Sequence, residues 1–129
     1  MEIPLRADLI GWLQSDPALA AQLNTVAEEA PNRTALPWLA IATSASADWS
    51  AKDCLGREVR LALELHCRGD RPDSAASLVT AIERRIGELP SAQPGFRIVT
   101  SQFLRARAEQ RGANTRAILI EYRFRLLAD

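Results

Sequence analysis

The chain has 129 residues, 47% hydrophobic and 25% charged, with sixteen basic side chains against sixteen acidic ones. That length suits one domain spanning residues 1–129, large enough to bury a core without metal or disulfide staples. A formal net charge of zero leaves no overall field to draw the protein onto nucleic acid or membrane.

The opening carries Glu2 and Asp8 early and no long apolar run, so neither a signal peptide nor a spanning helix is expected. Pro4 to Gln14 predicts a helix, because Leu5, Leu9, Trp12 and Leu13 recur at steps of three and four. Ser15-Asp16-Pro17 then ends one helix and starts another, with Asp16 as N-cap and Pro17 as first helical residue. The second helix runs to Leu23. Asn24 to Leu36 is polar and reads as a loop with a short extended piece around Val26.

Pro37 to Thr43 predicts a strand with Leu39 and Ile41 on one face and Trp38 on the other. Ser44 to Gly56 reads as a long connection with Trp49 in its middle. Arg57 to Cys67 carries the plainest signal in the chain. Val59, Leu61, Leu63, Leu65 and Cys67 alternate with Glu58, Arg60, Ala62, Glu64 and His66. A period of two makes this a half-buried strand with one packed face.

The segment 68–73 (Arg68 to Asp73) reads as a turn. Asp73 or Ser74 then caps a helix to about Leu89, with Leu78, Val79, Ile82, Ile86 and Leu89 on one side. Ser91 to Gly95 reads as a linker. Phe96 to Arg107 predicts a strand with mixed faces: Phe96, Ile98 and Leu104 on one, Val99 and Phe103 on the other. Residues 108–114 form its hairpin tip. Thr115 to Leu127 closes the chain as a strand, with Ile118, Ile120, Tyr122, Phe124 and Leu126 facing one way. The sum is an α+β domain: an antiparallel sheet of about four strands, with the N-terminal helices and one central helix packed on one face.

Catalytic groupings are missing from this pattern. His66 is the single histidine, and it falls on the polar side of its strand. No nucleophile elbow, zinc-binding helix or phosphate-cradling glycine loop is present. Cys54 and Cys67 are the two cysteines, too few for a disulfide framework and, with one histidine, for a zinc site. No cofactor and no metal are expected. The omissions favour a binding or structural protein over an enzyme. A small ligand-binding or enzymatic α+β domain with a pocket near His66 is the alternative.

The neutral total conceals a division. Residues 1–56 hold three basic side chains against seven acidic ones, a net of −4, and residues 91–129 hold seven against three, a net of +4. Such ends suit either head-to-tail contact between copies or an internal match within one. Two loops are candidate partner surfaces. One carries Asp48, Trp49 and Lys52, where an aromatic in a polar loop either folds back or anchors a partner. The other is the second hairpin tip, flanked by Arg105, Arg107, Arg111 and Arg116. That cluster has no interleaved aromatics, which argues for protein contact over single-stranded nucleic acid, and no sequence-specific nucleic acid is expected.

Asp48-Trp49-Ser50-Ala51-Lys52 followed by Gly56-Arg57-Glu58-Val59-Arg60-Leu61 resembles the loop-and-strand signature of the tail-completion, or tail-terminator, proteins of long-tailed bacteriophages and gene transfer agents. Asp16-Pro17-Ala18-Leu19 resembles the break in that family's two-helix start. Pro37-Trp38-Leu39-Ala40-Ile41 is similar to its first strand, and Thr115-Arg116 with the strand to Leu126 to its closing segment. Where the family often has a second aromatic after the central apolar run, this chain has His66-Cys67. The resemblance implies a structural virion-assembly protein, made in the bacterial cytoplasm and placed at the head-proximal end of the tail. It implies a homo-oligomer, usually a hexameric ring, that caps the tail-tube protein and meets the head-tail connector or stopper protein, with no membrane partner.

Overall fold

A computed structural model describes residues 1–70 and 72–129. Arg71, inside the turn expected over 68–73, lies outside the described residues. Among the described residues, three helices, α1 (Glu2–Gln14), α2 (Pro17–Gln22) and α3 (Pro72–Gly87), accompany six strands. These are β1 (Thr25–Ala27), β2 (Trp38–Asp48), β3 (Gly56–Arg68), β4 (Ala92–Gln93), β5 (Phe96–Arg111) and β6 (Thr115–Ala128). They form one sheet in the order β1-β2-β3-β6-β5-β4. Only β1 runs parallel to its neighbour.

The expected four-stranded sheet is therefore corrected to six. The four long strands are those the alternation predicts. The two additions are three and two residues long, too short for a period of two to register. Val26 does lie in β1, as the extended piece read there suggests.

The packed face follows the register. Leu61 pairs with Tyr122, Leu63 with Ile120, Val59 with Phe124 and Leu65 with Ile118. All eight are buried, with Leu39 and Ile41 of β2 beside them. The helices cover this face. Leu5, Leu9 and Leu13 of α1, Leu19 of α2, and Leu78, Ile82 and Ile86 of α3 join the same apolar cluster. Asp16 caps α2 by accepting from the Leu19 amide at 3.2 Å. α1 and α3 are clamped by a reciprocal pair. The Trp12 indole donates to the Arg85 carbonyl at 2.7 Å, and Arg85 Nε donates to the Trp12 carbonyl at 3.1 Å. The Arg85 guanidinium lies 3.4 Å from the Trp12 ring centre.

Three register shifts, at Ile41/Thr43, Ile98/Thr100 and Phe103/Arg105, bend β2 and β5 and curl the sheet. They also correct the face assignment on β5. Phe103 pairs with Tyr122 and Ile98 with Leu126, so both lie on the helix side, because the extra residue at Val99 flips the phase between them.

The two hairpins are longer than the sequence pattern predicts. β2 continues to Asp48, so the Ser44–Gly56 connection shrinks to residues 49–55. Its second half, Ser-Ala-Ser-Ala-Asp, has no bulky side chains to alternate and is held by backbone pairing to β3. β5 continues to Arg111, and its turn is residues 112–114, with Ala113 and Asn114 at φ of 58° and 56°. That left-handed pair matches the right-handed twist of the flanking strands.

Candidate functional site

The strand directions put the two hairpin tips at opposite ends of the sheet. β2 and β3 meet at residues 49–55, and β5 and β6 meet at residues 112–114. Thirteen residues of β3 separate the ends, roughly 40 Å of extended chain.

At the first tip, Ala51 and Cys54 pair across a tight turn made by Lys52 and Asp53. Asp48 and Lys52 are exposed. Asp48 accepts a hydrogen bond from Ser50 Oγ at 2.7 Å. Trp49 folds back: it is half-buried, its amide donates to the Gly56 carbonyl at 3.0 Å, and the Arg125 guanidinium lies 5.5 Å from its ring centre. Gly56 makes this closure possible, since a Cβ there would stand 2.4 Å from the Trp49 carbonyl oxygen and 2.9 Å from that of Leu126. Leu55 beside it is 70% exposed.

The arginine cluster divides. Arg105, Arg107 and Arg111 lie on the sheet face away from the helices, as their register against Glu121, Leu119 and Thr115 requires. Arg105 pairs with Glu121, while Arg107 and Arg111 both reach Glu109, at 3.3 and 3.0 Å. Hydrogen bonds from Arg105 hold the Glu121 carboxyl below the usual carboxylate range. Arg116 has the opposite parity and donates to the Gly69 carbonyl at 3.4 Å, bracing the tip against the end of β3. The Gly69 amide also donates to the Asn114 carbonyl at 2.8 Å. The seven candidate residues thus make an end patch, a face patch and a brace.

The polar face is where the sheet is hollow. Thr43, Ala45, Arg60, Ala62, Arg105 and Glu121 line an open cleft of about 550 Å³ there. Glu58 accepts from Arg125 at 3.0 Å and pairs with Arg123 at 3.8 Å. His66 lies on this face too, flat against Trp38 with ring centres 4.0 Å apart and 8° between planes. Its Nε2 meets Glu64 at 2.5 Å. Both its ring face and that nitrogen are thus occupied by neighbours on its own face. The nearby hollow of about 210 Å³ is lined by Pro37, Cys67, Arg68, Asp70, Ser74 and Leu78 instead. Burial pushes the Cys67 thiol up, as for a packed, unreactive cysteine. Among the described residues no three His, Cys, Asp or Glu side chains gather as a metal site, and no helix is long and apolar enough to cross a membrane.

Sequence reasoning missed four exposed apolar side chains: Ile3 (78%), Leu55, Val99 and Phe103. The signal for the last two was present. Past Ile98, β5 places bulky residues among polar ones with no period of two. The charge division also acquires geometry. Among the described residues, no ion pair joins residues 1–56 to residues 91–129. Glu28 is met by Arg6 at 3.7 Å, within its own block. The internal match weighed from sequence is not formed.

A chain from the virion of a native gene transfer agent particle has the same fold, with a TM-score of 0.80 at 22% identity, over 97% of this chain and 96% of that one. No curated protein sequence matches. The family described as tail completion protein gp17 matches residues 7–127. With nearly the whole chain inside that match, the protein belongs to the phage tail completion family, whose members are structural proteins of the virion.

Proposed function

We propose that this protein is a tail terminator: a ring, six copies in the usual case, that caps the tail tube at its head-proximal end and presents a surface to the head-tail connector. The whole of residues 1–129 acts as one such domain, and it carries no catalytic role. The observation that supports this reading most directly is the pair of unlike ends. Each subunit offers an acidic N-terminal block and an arginine-rich C-terminal block with no ion pair between them, the kind of dissimilar, complementary patches a closed ring requires.

The end patch of Asp48, Trp49, Lys52 and exposed Leu55 would meet the tube or the connector, since it closes one axial end of the sheet. Arg105, Arg107 and Arg111 would face neighbouring copies, with Arg116 holding their hairpin in place. Complementation tests the reading. Particles lacking the protein should carry tails of uncontrolled length that fail to join heads, and the purified protein should restore joining. Tails of normal length, joined normally without it, would refute the role.

A further inference from the structure

Two long stretches of strand have no partner. β1 covers β2 only along Trp38–Ala40, so residues 41–48 are an open edge. β4 covers β5 only along Phe96–Arg97, and the Ser91 carbonyl accepts from the Ile98 amide at 2.7 Å, so residues 99–111 are a second open edge. Natural sheets blunt such edges with proline, charged side chains, bulges or covering elements, and these two carry bulges and, on β5, arginines already paired within the chain. Neither stretch contains proline or lysine.

We infer, granting the ring reading on which this rests, that residues 99–106 of β5 in one copy pair with the open β2 edge of the next, clear of its β1, so that the sheets run continuously around the ring. Direction allows it. Each neighbour pair from β2 through β3 and β6 to β5 is antiparallel, so β5 runs opposite to β2. Rotation about a ring axis keeps each strand's axial direction, so β5 meets the next copy's β2 antiparallel, repeating the pattern inside each copy.

Level and side-chain character agree. Following the register across the sheet, Ser46, Val59, Phe124 and Ser101 share one level, and Ser44, Leu61, Tyr122 and Phe103 another. In a level ring, Phe103 therefore arrives opposite Ser44 of the next copy, on the helix side. The β2 edge there is Thr-Ser-Ala-Ser-Ala, small enough to let a bulky strand approach. Ser44 Oγ donates to Glu2 at 2.6 Å, which brings the start of α1 to that edge. Two of the four large exposed apolar residues, Val99 and Phe103, lie along the β5 edge.

Charge agrees as well. Arg107 shares a level with Ala27 through Leu119, Glu64 and Ala40. Exposed Glu29, two residues past Ala27, would come within reach of Arg105 and Arg107 from the next copy.

Cross-linking tests this. In a Cys54→Ser background, Ser46→Cys and Ser101→Cys are placed in one chain. Within a copy they sit three strand spacings apart, about 14 Å, too far for a disulfide. Oxidation of the assembled protein, with its tail-tube protein present, should give a covalent ladder ending at the ring size, while each single variant gives none. Normal assemblies that yield no ladder, either here or with Ala47→Cys and Thr100→Cys, which share a level through Glu58 and Arg125, would overturn edge pairing and leave the ring reading standing. Covalent dimers from Ser101→Cys alone would mean β5 pairs with itself, and would overturn the head-to-tail order. No assembly at all, with the tube protein present, would remove the ring reading together with this one.

Discussion

β5 and β6 are neighbours along almost their whole length, yet they live in different surroundings. β6 buries Ile118, Ile120, Tyr122, Phe124 and Leu126 under the helices. β5 buries Phe96 and Ile98 and then leaves Val99 and Phe103 more than two-fifths exposed. β6 is a central strand whose pattern was set by what must be packed. β5 is an edge whose bulges and exposed Val99 and Phe103 do little for its own fold. The stretch 99–111 of β5, beyond the reach of β4, is a hazard unless something covers it. In an assembly protein the obvious cover is another subunit.

The contrast predicts a gradient of effects on folding. Phe124 is fully buried and stacks on Tyr122 at 5.9 Å. Phe124→Ala should cost about 3–5 kcal/mol and lower Tm by roughly 10–20 °C, read by thermal denaturation. Gly56→Ala should cost about 2–3 kcal/mol, because its methyl meets two backbone carbonyls, that of Trp49 in the first tip and that of Leu126 in β6, which cannot both retreat. A glycine-tolerant site would lose well under 1 kcal/mol and would show that the Trp49 closure is loose.

Tyr122 carries the comparison into pH. Burial first, and then the Glu83 carboxylate, push its phenol up to about 12. The unfolded chain ionises this group near pH 10. Its contribution is therefore complete below about pH 10 and is lost as pH climbs toward 12, because the unfolded state releases the proton first. Tyr122→Phe should flatten that alkaline limb of the stability curve, measured by denaturant midpoints from pH 8 to 12.

What could be read in the sequence follows the same division. Strands β3 and β6 were legible because one face of each is packed, and packing imposes the period of two. The end of β2 was not, because serine and alanine leave no contrast between faces. Phe103 was assigned to the wrong face because a bulge shifts phase without leaving a residue signature. Of the candidate site, Arg105, Arg107 and Arg111 share parity and fall on one face as alternation requires, while Arg116 has the other parity and braces the tip. That the two tips lie at opposite ends follows from strand order, which no local pattern encodes. Trp49 posed a choice between core and anchor, and its position over Arg125 makes it partly the first.

That choice sets up the two smallest effects on folding. Trp49→Ala removes a half-buried ring and its cation contact and should cost about 1 kcal/mol. A larger fall in head joining than this accounts for would make the ring a partner anchor too. Phe103→Ala is the sharper probe. The side chain touches Tyr122 edge-on, with centres 5.7 Å apart, but is 44% exposed, so truncation should change stability by no more than about 1 kcal/mol. If β5 is completed by a neighbour, the same change empties the centre of that contact, and assembly measured by sedimentation should weaken at least tenfold, which is about 1.4 kcal/mol of association. A variant equally stable and equally assembled would leave β5 an edge with no cover. Such a strand would have to be kept soluble by its arginines alone, and Arg105→Ala in the same chain should then drive it to aggregate.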